Sequence, residues 1–265
     1  HNSSKYINLL TETMKYAYAD RSKYLGDPDF YEVPISRIID KDYAKKIYSK
    51  IKVGQSTPSS KIKPGEGFDN ESVETTHFSI ADKYGNVVSS TYTLNSTFGS
   101  GVVIEGTGIL MNNEMDDFSA APGIPNQFGL LGSKANEIQP FKRPLSSMTP
   151  TIVMKDDQFF FSTGSPGGSR IISAVLQSIL NIVDFDMDLE ETNNAIRIHH
   201  QWQPDRLQIE TRLSEKTRLE LLDLNYNIQI IEPATCLQTI MYKDNKYYGY
   251  GDYRRPDAFA SGDIK

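Results

Sequence analysis

The chain has 265 residues, a formal net charge of −6, and 38% hydrophobic and 23% charged residues, which suits a globular protein with its own core and one large or two small domains. The acidic balance and the lack of a Lys/Arg-rich run argue against nucleic acid as a partner. A single cysteine, Cys236, excludes an internal disulfide framework and a cysteine-based zinc site, and the longest apolar run, near Ile171 to Val183, is too short and too polar to span a bilayer.

The opening His1-Asn2-Ser3-Ser4 has no signal-peptide pattern and no initiator Met, which reads as a fragment or processed chain. Residues 5–18 predict a helix from the spacing of Tyr6, Leu9, Leu10, Met14 and Tyr18. Asp27-Pro28-Asp29 breaks the chain, because proline holds the residue before it extended. A second helix is expected over 41–51. From 54 to 74 there is no periodicity, and Gly54, Pro58, Pro64, Gly65 and Gly67 predict a mobile linker, where a chain break costs the fold least.

Pattern changes abruptly after Glu74. His77 to Asp82 and Val87 to Leu94 alternate about the turn Lys83-Tyr84-Gly85-Asn86, predicting a β-hairpin with Ser89, Thr91 and Thr93 on one face. Residues 119–143, with three prolines and three glycines, read as a long surface loop. Thr151 to Lys155 and Gln158 to Ser162 predict a second hairpin around Asp156-Asp157. Helices are expected over about 170–183, 188–196 with Asp188 as N-cap, and 214–224 capped by Ser214. Short strands are expected at Leu207 to Glu210, Asn227 to Glu232, Leu237 to Tyr242 and Tyr247 to Tyr250. This order predicts sheets covered by helices in a layered α/β arrangement.

Four stretches carry candidate chemistry. Thr75 is either an ordinary β-branched strand start or a nucleophile that becomes an N-terminus when the chain is cut before it. Gly167-Gly168, ahead of a helix, is either a turn needing positive φ or a set of unshielded N–H donors for an oxyanion. Glu114, Asp116 and Asp117 are either a solvated acidic loop or a binder of an amine or cation. Ser146-Ser147, between Pro144 and Pro150, forms either a side-chain turn or a carboxylate site. The histidines show no metal spacing, no Walker loop follows the glycines, and no Gly-x-Ser-x-Gly elbow is present. No cofactor is expected.

The runs TTHFSIADKYGN, TYTLNSTFGSG, NNEMDDFSA, LLGSKAN, KRPLSSMTPTIV and TGSPGGSRII resemble the γ-glutamyltransferase (γ-glutamyltranspeptidase) family of N-terminal-nucleophile hydrolases, and KYAYADRSKYLGDPDF resembles the end of that family's large subunit. The resemblance implies an αββα fold, two stacked, mainly antiparallel sheets between helical layers, incomplete without a preceding N-terminal part. It implies a large-subunit-like region over 1–74, a small-subunit-like catalytic region over 75–265, and self-cleavage between Glu74 and Thr75. Carried over by residue, Thr75 matches the nucleophile and Thr93 the hydroxyl that supports its amine. Gly167 and Gly168 match the oxyanion loop. Ser146 and Ser147 match the binders of the substrate α-carboxylate, and Asn95, Glu114 and Asp117 match the group holding its α-amine. The implied substrates are glutathione or other γ-glutamyl compounds, with water, amino acids or peptides as acceptors. The large subunit is the implied heterodimer partner, and the periplasm or export the implied location.

Two positions depart from the family pattern. Glu114 stands where many bacterial members have Gln, and still accepts from an ammonium. Phe128, in the lid-like loop 122–133, stands where a tyrosine is common, so a hydroxyl bond to Asn95 is lost and a looser lid is expected. The family's substrate-carboxylate arginine belongs to a part this chain lacks. The alternatives are an inert fragment and an N-terminal-threonine amidase of other acyl specificity.

Overall fold

A computed structural model describes residues 1–62, 75–119, 121 and 124–262, so that Glu74 lies outside the described residues. In chain order the helices are α1 (Ser4–Tyr24), α2 (Ile35–Ile38), α3 (Lys41–Tyr48), α4 (Arg170–Val183), α5 (Leu189–Asn194) and α6 (Glu215–Asp223). The strands are β1 (Thr76–Ala81), β2 (Val87–Tyr92), β3 (Thr151–Lys155), β4 (Gln158–Thr163), β5 (Ile198–His199), β6 (Leu207–Glu210), β7 (Ile228–Ile231), β8 (Gln238–Lys243) and β9 (Lys246–Gly251). They fall into two compact units that do not follow chain order: residues 1–72, 114–146 and 198–231 form the first, and 73–113, 147–197 and 232–265 the second.

The first unit is built on α1. Ser3 caps it by accepting from the Tyr6 amide, and Arg21 and Lys23 in the last turn complement the exposed carbonyls. Its apolar stripe, Ile7, Leu10, Met14 and Tyr18, is buried. Glu12 and Lys15 are buried as well, as an ion pair at 2.8 Å. Lys15 also donates to the Thr57 carbonyl at 2.9 Å, and Tyr226 Oη donates to Glu12 Oε1 at 2.9 Å. Residues 54–62 are held rather than loose. The Ser59 amide donates to Asp205, Trp202 Nε1 donates to the carbonyls of Ser59 and Ile62, and both Ser59 and Ile62 are buried. The small sheet β5-β6-β7 pairs β6 with β7 in parallel, the one parallel pair among the described strands.

The stretch 119–143, expected as a surface loop, is only partly one: among its described residues Ile124, Ile138 and Phe141 are exposed, but others are not. Phe128, Leu130, Leu131, Ala135 and Asn136 are all buried. Side chains satisfy the backbone that such burial strands: Asn126 Oδ1 accepts from the amides of Phe128 and Leu130, and Gln201 Nε2 donates to the Phe128 carbonyl. Gly132 lies so close to Ser119 that an added β-carbon would fall 1.7 Å from its Oγ.

The second unit carries the layering. The hairpin β1-β2 closes at Asp82, whose carboxylate accepts from the amides of Tyr84 and Asn86. The sheet β3-β4-β8-β9 is antiparallel throughout. Two of its turns, Asp156-Asp157 and Asp244-Asn245, have positive φ at both residues, the geometry that suits the right-handed twist of a two-residue hairpin. Helices α4 and α5 cover one face over a core of Phe161, Ile182, Leu189 and Met241. Asp188 caps α5 with a full capping box, and in the first unit Ser214 caps α6. The hairpin meets the same sheet through hydroxyls: Ser79 Oγ lies 3.0 Å from Ser162 Oγ and donates to the Gln238 carbonyl, and Ser89 Oγ reaches the carbonyls of Thr151 and Thr163. The hairpin's other face, with Phe78, Ile80, Val88 and Tyr92, is exposed.

Candidate active site

Strand alternation places Thr75, His77 and Ser79 on one face of β1 and its approach, opposite Thr93, Thr91 and Ser89. The Thr75 hydroxyl donates to Thr93 Oγ1 at 3.3 Å, and the Asn95 amide donates to the same oxygen at 2.7 Å. Thr75 is only 9% exposed. Asn95 takes φ 75°, which asparagine tolerates better than most residues, and its Nδ2 donates to the Asn113 carbonyl.

His77 Nδ1 lies 2.8 Å from Thr91 Oγ1 and Nε2 lies 3.1 Å from Ser79 Oγ. Burial lowers its pKa to about 4, so the ring is neutral near pH 7. The ring packs on Gly164, the first glycine of the loop 163–169. That loop ends at Gly167, φ 140°, and Gly168, φ 55°, at the N-terminus of α4. A β-carbon on Gly167 would meet Thr235 Cγ2 at 2.7 Å and the Ala234 carbonyl at 3.0 Å. The loop therefore requires glycine both for conformation and for close approach.

Residues 234–237 are held in turn by a buried charge cluster. Arg197 donates to Thr235 Oγ1 at 2.9 Å and to Asp252 Oδ2 at 2.6 Å, and the Leu237 amide donates to Asp252 at 3.0 Å. Burial by itself would raise the Asp252 pKa, but the Arg197 and Arg254 charges more than offset it and keep the carboxylate ionised. The Cys236 thiol, pushed up to about 11 by burial and then by Asp252, is unreactive near neutrality.

In the first unit, Glu114 and Asp117 lie on one 3₁₀ turn. Burial raises the pKa of both carboxyls, and the Glu114 charge raises Asp117 further. A nearby cation would favour the charged form of both. The Ser146 carbonyl accepts from Arg21 at 3.5 Å. Thr75, Thr93, Asn95, Ser147, Gly167 and Gly168 thus belong to the second unit, and Glu114, Asp117 and Ser146 to the first.

Residues 1–262 match the family model described as gamma-glutamyltranspeptidase. The chain belongs to the γ-glutamyltranspeptidase family. It is 49% identical over 262 residues to the glutathione hydrolase proenzyme of Escherichia coli K12, covering 98% of this chain and 45% of that protein. A structure of the Helicobacter pylori γ-glutamyltranspeptidase T380A mutant superposes with TM-score 0.66 at 46% identity, over 68% of this chain and 100% of that one. The Pseudomonas nitroreducens γ-glutamyltranspeptidase complexed with L-DON gives TM-score 0.67 at 43% identity, over 72% of this chain and 99% of that one. The chain spans less than half the length of curated relatives that it matches along nearly its whole length.

Against this background the sequence reading missed four residues. His77 shares the alternating face of Thr75, a signal present in the pattern but read only as a strand residue. Arg197 and Asp252 are far apart in sequence and carry no local signature. Asn136, within LLGSKAN, is a small polar residue whose partners lie nine and nineteen positions away. Among the described residues no helix is long and apolar enough to cross a membrane.

Proposed function

We propose that the chain carries the catalytic half of a γ-glutamyl transferase and hydrolase that matures by cutting itself between Glu74 and Thr75. The observation that carries this reading is the Thr75–Thr93 hydroxyl pair at the head of a hairpin. In the uncut chain the Thr75 hydroxyl attacks the Glu74 carbonyl, giving an ester with a freed α-amine, and water hydrolyses the ester to a Glu74 carboxylate. An α-amine titrates at about 7.7–8, so it serves as the base for its own hydroxyl near neutral pH. The hydroxyl then attacks a γ-glutamyl amide. An acyl-threonine forms, the amine leaves with the proton, and water or an acceptor amine completes the turnover.

Thr93 orients the nucleophile in this reading, and the amides of Gly167 and Gly168 receive the oxyanion at the start of α4. Glu114 and Asp117, with Asn95, take the substrate ammonium, and Ser146 and Ser147 its α-carboxylate. Reading both charges of a zwitterion selects free γ-linked glutamate over an internal residue. Glutathione and other γ-glutamyl amides are the donors, and the longer relatives' large subunit is the partner that completes the site. Export to the periplasm or beyond fits the same family.

The test is release of p-nitroaniline from γ-glutamyl-p-nitroanilide by the protein with its partner segment. Thr75→Ala should abolish release, and free glutamate should compete. The rate should fall as pH drops below the amine's range. Anilide cleavage that glutamate does not inhibit would point to another acyl group, and full activity in Thr75→Ala would overturn the proposal.

A further inference from the structure

We propose that Asn136 is a positioning residue that sets the spacing between the group reading the substrate ammonium and the group reading its α-carboxylate. This rests on the assignment of Asp117 and Ser146 to those two ends. The Asn136 side chain is 5% exposed and is used at both ends. Its Nδ2 donates to the Asp117 carbonyl at 2.7 Å, and its Oδ1 accepts from the Leu145 amide at 2.9 Å, one residue before Ser146. Exchanging oxygen and nitrogen would break both bonds, so their partners fix the amide's orientation. The Ser119 amide donates to the Asn136 carbonyl at 2.8 Å, tying the far side of the acidic turn to the same residue.

The surrounding motif makes Asn136 rigid. Leu131 and Ala135, ahead of it in the chain, are buried, and Ser133 caps the short 3₁₀ turn by accepting from the Ala135 amide while donating to the Lys23 carbonyl. Gly132 has no room for a side chain against Ser119, and Gly26 none against the Ala135 carbonyl, 2.1 Å from a β-carbon placed there. One buried amide thus joins two otherwise separate loops, and misplacing either loop by an ångström costs affinity for a two-charge substrate.

Two half-substrates separate the two ends. Glutaryl-p-nitroanilide lacks the ammonium, and 4-aminobutyryl-p-nitroanilide lacks the α-carboxylate. Asn136→Leu, which removes both bonds, should raise KM for γ-glutamyl-p-nitroanilide by about tenfold or more, with a smaller change in kcat. Its preference for the full substrate over both half-substrates should shrink. Asn136→Asp keeps the acceptor for Leu145 and loses the donor to Asp117. It should lose preference over the glutaryl compound while retaining preference over the 4-aminobutyryl compound. Hydrogen–deuterium exchange of segments 115–119 and 144–148 should quicken together in Asn136→Leu. Unchanged preferences in both variants, or a fall in kcat alone, would overturn the proposal, as would unchanged exchange in both segments. If the parent protein cleaves none of the anilides, the γ-glutamyl assignment fails, and exchange alone decides whether Asn136 couples the loops.

Discussion

The imidazole of His77 occupies the space that a β-carbon on Gly164 would need, 2.2 Å from the ring's Cε1. The ring cannot swing aside without breaking its contacts with Thr91 and Ser79. The side chain two positions beyond the proposed nucleophile therefore braces the loop that carries Gly167 and Gly168. Gly164→Ala should cost roughly 1–3 kcal/mol of stability by overpacking, and should lower kcat more than it raises KM. Thermal melts and initial rates check this; a variant with parental kcat would show that the loop does not depend on the brace.

The same histidine sets an acid limit. Its folded pKa is about 4, against an ordinary value near 6.5, because burial disfavours the charged ring. Between those values the unfolded chain binds a proton that the folded chain refuses. The stabilising contribution is thus complete above about pH 6.5 and is lost as pH falls toward 4, to the extent of about 3 kcal/mol. His77→Gln should flatten the pH dependence of the urea midpoint across this window. Parallel curves for the two proteins would contradict it.

Within the first unit, residues on both sides of the proposed cut share one buried polar cluster. Asn8 Nδ2 donates to Tyr226 Oη at 2.7 Å, and Tyr226 Oη donates to Glu12 Oε1 at 2.9 Å. Burial, and then the Glu12 charge, raise the Tyr226 pKa well above the ordinary range, so the hydroxyl keeps its proton. The two pieces should remain together after cleavage, held by groups that cannot be left unpaired. Tyr226→Phe should weaken their association by about 1–3 kcal/mol, seen as earlier dissociation in urea by size-exclusion chromatography. Pieces that separate without denaturant in the parent would count against the clasp.

Local chemistry made much of this fold legible. Alternation and paired turn residues announce the hairpins at 76–92 and 151–163, and Asp188 and Ser214 cap the helices they precede. Non-local bonds hid the rest. Strand β5 has two residues and no period, and the parallel pairing of β6 with β7 depends on a partner some twenty residues away. The stretch 119–143 has a surface composition, but Phe128, Leu130 and Leu131 are buried within it because Asn126 and Gln201 satisfy the local backbone. Residues 54–62 read as linker for the same reason, their anchors being Lys15, Trp202 and Asp205. At the site, alternation alone pairs Thr75 with Thr93, whereas nothing near Asn136 points to Asp117 or Leu145.

The bond between Glu74 and Thr75 decides the central claim. Intact-mass measurement of the purified protein, with terminal sequencing, should find a fragment beginning at Thr75 in the parent and an uncut chain in Thr75→Ala. γ-Glutamyl turnover by a protein in which that bond is intact would contradict the account.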